Sequence, residues 1–247
     1  LKAVMPTTPS QSPSSHFRTG AASVFALVAA VAMQSWNGFD HDLPAALWIP
    51  TLLLAASAAL VHSRHLGAQV LARAAWWSNA ILGGLIAGTG GSSERATALI
   101  LAGTCAAALA LAGRSGLTDS GRASAFRPVA FRATLLVAMV MALADTQSLL
   151  LFGSLSAVDH GGHASEAALM LGSAFVMVVA IVGLFRLRVW GLALNVVANI
   201  AIAALAAAGC YELPNPLVYA LVCTAVLQLL LPAPMIAAMV RRPRAIA

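Results

Sequence analysis

The chain is poor in charge. Only 9% of its 247 residues are Asp, Glu, Lys or Arg, against roughly a quarter in an ordinary soluble domain. So little charge cannot cover a surface that faces water, so the solvent must be lipid. Lysine is nearly missing. Lys2 is the only one and lies in the leader, which excludes a Schiff-base lysine inside a membrane span. No histidine falls in the middle of an apolar run, which argues against paired axial haem ligands across a bundle. The three cysteines, Cys105, Cys210 and Cys223, sit in or beside apolar runs without CxxC or Cys/His spacing. They read as small packing residues, not zinc ligands. No G-x-S-x-G, H-E-x-x-H or P-loop is present, and the intramembrane serines have no histidine base nearby. Neither enzymatic activity nor a cofactor is expected.

What the chain has is hydrophobicity: 60% apolar residues and a mean hydropathy of +0.88. It also has a basic excess, with a net charge of +6. Nucleic acid would suit that charge, but the basic residues sit in short connectors between apolar runs, where membrane orientation is the physical cause. The runs number eight, at about 19–36, 44–61, 74–91, 96–113, 133–155, 166–185, 190–209 and 216–240. Most have the length of roughly 20 residues that a helix needs to cross the hydrocarbon. Each must be helical, because lipid offers no partner to backbone polar groups. The expected fold is an all-α polytopic integral membrane bundle of eight transmembrane helices. Pro232 and Pro234 predict a kink in the last.

Charge tests this division. Lys2, Arg18, Arg64, Arg73, Arg114, Arg122, Arg127, Arg132, Arg186, Arg188, Arg241, Arg242 and Arg244 all fall in one set of alternating connectors, and Arg95 alone in the other. Asp40, Asp42, Glu94, Asp159, Glu166 and Glu212 fall in the second set, and Asp119 alone in the first. The positive-inside rule then places both termini in the cytoplasm of a cell with an inner (plasma) membrane. A rival at the first run is a signal peptide cleaved after Ala30-Val31-Ala32. The Pro-rich leader and the repeat described next argue for keeping the span.

The two halves read as copies of one four-span unit. Phe17-Arg18 precedes the first span and Phe131-Arg132 the fifth. Gln34-Ser35 matches Gln147-Ser148, Asp40-His41 matches Asp159-His160, and Arg73, Trp76 and Asn79 match Arg188, Trp190 and Asn195. An even number of spans per copy gives both the same orientation, related by a pseudo-two-fold axis along the membrane normal. The division is a linker (1–18), a first repeat (19–113), a basic loop (114–132), a second repeat (133–240) and a basic tail (241–247).

Three sets of residues are candidates for function. Asp145 is the only charged residue placed inside the lipid, about 18 Å along its helix. A carboxylate there costs at least a few kcal/mol, so it must face protein or water. Gln147, Asn195 and Asn199 are its candidate partners, the last two sharing a helix face at i and i+4. Two readings stay open: a neutral carboxyl fixing helix register, or a proton- or cation-coupled site. Opposite Asp145, at the matching place in the first repeat, stands Ala32. The second set is His41, Asp159, His160 and His163 in the outer loops, whose imidazoles and carboxylates suit Zn²⁺. The third is a small-residue face, with a GxxxG at Gly84 and Gly88 and a stripe at Ala102, Ala106 and Ala110. Close packing within the monomer is its expected use, with a homo-oligomer as the alternative.

The leader Leu1-Lys2-Ala3-Val4-Met5-Pro6, followed by Pro9 and Pro13 among Ser and Thr, resembles the final helix and Pro/Ser-rich juxtamembrane linker of bacterial receptor-like Ser/Thr protein kinases. The resemblance implies a cytoplasmic signalling domain before Leu1. It implies no kinase activity in the chain itself, which has no Gly-rich loop, HRD or DFG. The expected function is a non-enzymatic anchoring, assembly or sensing domain. The alternative is a small proton- or cation-coupled transporter using Asp145.

Overall fold

The computed structural model describes residues 13–37, 48–63, 65–89, 92–114, 129–158, 164–211, 213, 215–231 and 235. Among them are eight helices and no strand: α1 (Pro13–Asn37), α2 (Trp48–Leu60), α3 (Leu66–Thr89), α4 (Ser92–Arg114), α5 (Val129–Val158), α6 (Ala164–Phe185), α7 (Val189–Ala207) and α8 (Asn215–Leu230). Each falls on one of the eight apolar runs. The first begins earlier than expected, at Pro13, because proline is well suited to the first position of a helix, where its missing N–H has no acceptor to lose. The kink at Pro232 and Pro234 lies outside the described residues.

Five helices, α1, α4, α5, α6 and α7, are long and apolar enough to cross a membrane. The described parts of α2 and α8 are shorter, and Gln69, Arg73, Ser78 and Asn79 make α3 more polar. Side-chain placement agrees with a lipid surround. On α1 the buried positions are Ala22, Ala26, Ala29, Ala30, Ala32 and Met33, while Val24, Phe25, Leu27, Val28 and Val31 are exposed. On α6 Ala167, Met170, Ala174, Met177, Ala180, Ile181 and Leu184 are buried, while Leu169, Phe175, Val176, Val178 and Val182 are exposed. Water would drive the large side chains inward. Lipid removes that drive, so large apolar side chains can face outward while small residues permit close helix approach.

The helices form two rings. In the first, α1 packs on α2 and α4, and α3 packs on the same two. In the second, α6 packs on α5 and α7, α8 packs on α7, and among the described residues only a narrow contact joins α8 to α5. The buried apolar residues divide accordingly into two clusters. α3 contributes Ala72 and Trp76 to one and Val70, Ala74 and Ala75 to the other. It joins the halves by packing on α5 and, less extensively, on α6. A two-fold axis would also set α7 against α1, but among the described residues no packing of comparable extent occurs there. The chain leaves the first ring by α4 and must start the second beside whichever face is free. That face belongs to α3.

Contacts at one end of the bundle fix the alternation of the helices. Gly67 at the start of α3 meets the backbone of Phe185 at the end of α6, and the His65 and Phe185 rings lie 5.1 Å apart. Arg73 Nη2 donates to the Ala112 carbonyl near the end of α4 (2.9 Å), where a cation also complements the helix dipole. The starts of odd helices and the ends of even ones therefore share one end, which also holds Arg18, Arg132, Arg186 and Arg188. The tightest connection is there too. The Arg188 N–H donates to the Gly183 carbonyl (2.9 Å), Leu187 has φ +54°, and the backbones of Gly183 and Gly191 touch. A Cβ at either glycine would collide with the facing backbone, so this crossing requires glycine.

The small-residue face differs from expectation. Gly83 makes the close approach, against Ala98 and Ala102 of α4, whereas Gly84 and Gly88 face open space. On α4 the buried stripe is Ala98, Leu101, Cys105, Ala108 and Ala112; Ala106 and Ala110 point outward. The GxxxG spacing marks one helix face but not which neighbour covers it.

Candidate functional site

Buried polar side chains run down the inside of both rings, and most are held by the nearest helix backbone. Thr146 Oγ1 donates to the Ala142 carbonyl (2.6 Å), Asn79 Nδ2 to Ala75 (2.8 Å) and Ser57 Oγ to Leu54 (2.6 Å). In lipid this is the cheapest way to satisfy a hydroxyl or amide, because the helix carbonyl is always within reach. A few bonds cross between helices. In the first ring Trp76 Nε1 donates to Ser57 Oγ (2.7 Å), joining α3 to α2.

The second ring holds the densest polar group, at the narrow α5–α8 seam. Asn195 Nδ2 on α7 donates to Gln228 Oε1 on α8 (2.9 Å), and Gln228 Nε2 donates to the Ala138 carbonyl of α5 (3.2 Å). Asn199 Nδ2 donates to the Asn195 carbonyl (2.7 Å) and approaches Asn195 Oδ1 (3.2 Å). Asn195, Asn199 and Gln228 are all buried. On α8 Thr224 lies one turn from Gln228, and on α5 Asp145 lies two turns from Ala138, so the same two faces meet again farther along the seam. There the Thr224 hydroxyl faces the Asp145 carboxyl. Asp145 is only 4% exposed, and its Oδ2 has no hydrogen-bond partner.

Asp145 is thus buried in the protein, as its cost in lipid demands. Its neighbour is Thr224, and not Gln147, Asn195 or Asn199 as the sequence suggests. The asparagines are taken up by Gln228 and by each other. Gln147 is half-buried, and its Nε2 has no partner. Neither Thr224 nor Gln228 stood out in the sequence. The available signal was their i, i+4 spacing on α8, the same spacing that drew notice to the asparagines on α7. His41, Asp159, His160 and His163 lie outside the described residues. Among the described residues no group of three His, Cys, Asp or Glu side chains could hold a metal.

One arrangement contradicts the sequence reading of the serines. Ser23 Oγ on α1 lies 2.7 Å from His62 Nε2, just past the end of α2. It is not set up as a nucleophile. The same oxygen lies 2.9 Å from the Ala58 carbonyl and 3.1 Å from that of Thr19, so its proton has acceptors already. Carbonyls around the oxygen would also repel a developing oxyanion, which needs donors. His62 Nε2–H donating to Ser23 Oγ, with Ser23 donating to Ala58, satisfies all three groups and clips α1 to α2.

Past the end of α7, Tyr211 Oη lies 2.8 Å from Ser173 Oγ and ties the α7–α8 connection to α6. Burial pushes the Tyr211 phenol above its ordinary range. Comparison of the chain with protein-family models, with characterised proteins and with solved structures found no match, so its functional reading rests on this geometry.

Proposed function

We propose that the chain is an eight-span inner-membrane domain, built as two tandem four-helix units with both ends in the cytoplasm, that anchors, assembles or senses without catalysing a reaction. The observation that carries this reading is the outward exposure of large apolar side chains along α1 and α6, helices long and apolar enough to cross a membrane. The shared helix order of the two rings supports the tandem repeat, and the gathering of Arg18, Arg132, Arg186 and Arg188 at one end supports the orientation. The resemblance of the leader to a kinase juxtamembrane segment makes a cytoplasmic signalling domain a fitting partner. The outward-facing Gly84, Gly88, Ala106 and Ala110 make a second copy another. Single cysteines at Arg122 and His160 in a cysteine-free background test the topology. An impermeant maleimide added to intact cells should label the position 160 cysteine at once and the position 122 cysteine only after permeabilisation. The reverse order, or equal labelling, overturns it.

A second reading, a small proton- or cation-coupled transporter, is favoured by one observation: the buried Asp145 Oδ2 without a donor. Flux into vesicles should fall to background in Asp145→Asn. Undiminished flux with normal folding removes this reading.

A further inference from the structure

Among the described residues, the end of the bundle that holds Arg18, Arg73, Arg132, Arg186 and Arg188 holds no Asp or Glu. Two of these arginines stand where the rings join. Arg73 of α3 lies between Ala72, which enters the first buried cluster, and Ala74, which enters the second together with Phe131, the neighbour of Arg132 on α5. α4 and α5 both pack on α3 but, among the described residues, not to a comparable extent on each other. α3 therefore floors a groove between them. Arg73 Nη2 reaches the Ala112 carbonyl near the end of α4 (2.9 Å), which sets the guanidinium at the mouth of that groove. A guanidinium has five N–H donors to place, and the Arg73 Nε–H is buried without an acceptor. Arg132, near the start of α5, is close enough for the two charges to repel. Farther into the bundle, successive turns on the Arg73 face of α3 carry Trp77 and Ile81, 46% and 47% exposed. Gly84 and Gly88 follow on the same face, with open space around them.

We propose that the groove between α4 and α5 binds an anionic phospholipid, its phosphate seated at Arg73 and Arg132 and an acyl chain laid over Trp77, Ile81, Gly84 and Gly88. A phosphate between two guanidiniums turns their repulsion into attraction and gives their forked donors matching acceptors. Basic pockets between helices at a membrane surface suit such headgroups. Charge at the mouth and an open apolar floor beyond it match the two ends of one lipid molecule. A dissolved anion would use only the first. A second copy of the chain suits the groove less well. Related by a two-fold along the membrane normal, it would bring its own Arg73 and Arg132 to the same depth, against the same charges. The inference rests on the membrane reading of the chain, but not on the number of spans, the repeat or a transport role.

The full chain in phosphatidylcholine nanodiscs with a minor share of phosphatidylglycerol tests it. Bromine is carried on the acyl chains of one lipid or the other, and tryptophan fluorescence is read. Brominated phosphatidylglycerol should quench more than brominated phosphatidylcholine at equal mole fraction, and the excess should vanish in Trp77→Phe. Arg73→Gln and Arg132→Gln should each weaken the preference about fivefold. Arg186→Gln, at the same end but on the α6–α7 connection, should leave it unchanged. Arg132→Gln remains informative if Arg73→Gln fails to fold. Equal quenching by the two lipids overturns the proposal and leaves the membrane reading intact. An excess that Arg186→Gln reduces as much as Arg132→Gln does also overturns it, since the attraction is then diffuse. So does an excess that inorganic phosphate abolishes at constant ionic strength, which marks a site for a dissolved anion. Trp77 shielded from both lipids, in a chain that light scattering shows to be a dimer, gives the groove to a second copy instead.

Discussion

The two rings follow one helix order but are sealed differently. In the first, α1 and α4 close the ring through Ala22, Ala26, Ala29, Cys105 and Ala108, all without exposure, and polar groups serve only to clip neighbours. In the second, the equivalent seam between α5 and α8 is narrow among the described residues and is bridged by the Gln228 side-chain amide, itself held by Asn195 of α7, with Asp145 and Thr224 beyond. In lipid, small-residue contact is a cohesive force that operates all along a helix. A hydrogen-bonded seam concentrates cohesion at a few points and is easier to open. Among the described residues the first ring is closed by apolar contact and the second by a polar seam.

The largest expected effect comes from the feature least like a hydrogen bond. Gly183 and Gly191 bring the backbones of α6 and α7 into contact. Gly191→Val leaves the new side chain nowhere to go and should cost about 3 kcal/mol. Reversible unfolding in mixed detergent micelles measures this. A loss no greater than that of an outward substitution would show that the crossing is looser than the structure has it.

The next substitution probes the first ring and its small-residue seal. Ala108→Leu, into the buried stripe of α4, should cost about 2 kcal/mol by overpacking. Ala106→Leu, on the outward face, should stay within about 0.5 kcal/mol. Reversal of that order would mean that α4 is rotated about its axis. If Ala106→Leu instead changes only the oligomeric state in light scattering, the outward stripe is a contact between copies.

That rotation is what the sequence could not supply. All eight helices were legible, because apolar runs of membrane-crossing length separated by polar connectors have no other solution in lipid. The alternation of ends was legible too, from arginines alone. Which face of each helix points inward was not. In water a helix advertises its buried face by amphipathicity; here both faces are apolar and only residue size differs. The spacing of Gly84 and Gly88 therefore gave a face but pointed to the wrong one, and Gly83 does the packing. The same limit hid Thr224 and Gln228 as partners at the α5–α8 seam, and His62 as the partner of Ser23. Asp145 was found because a lone acid in an apolar run is costly wherever it points, so its importance does not depend on rotation.

The polar seam itself is open to a smaller perturbation. Gln228→Leu leaves Asn195 Nδ2 and the Ala138 carbonyl without their partner and should cost about 1 kcal/mol, since cross-helix hydrogen bonds in membranes are modest. Asn195→Leu added to it should cost less than the two single losses together, because the second substitution removes a donor that is already stranded. Full additivity in the double-mutant cycle would mean that the two side chains do not act as a pair, and the second ring would then be sealed like the first.

The smallest expected effect lies at the far end of the second ring, where Tyr211, past the end of α7, meets Ser173 of α6. Tyr211→Phe removes one partly buried hydrogen bond and should cost about 0.5 kcal/mol at neutral pH. Its pH dependence has a definite sign. Burial raises the folded-state pKa of the phenol above its unfolded value, so the folded form holds the proton more tightly. The stabilisation linked to that proton is fully present below the unfolded pKa and is lost as pH rises through the folded one. Wild type should therefore lose stability in the alkaline range relative to Tyr211→Phe, and the two unfolding curves should converge there. Parallel curves would mean that the phenol is solvated. The α7–α8 connection would then be held by apolar packing alone, leaving α8 with fewer constraints on the side facing the Asp145 seam.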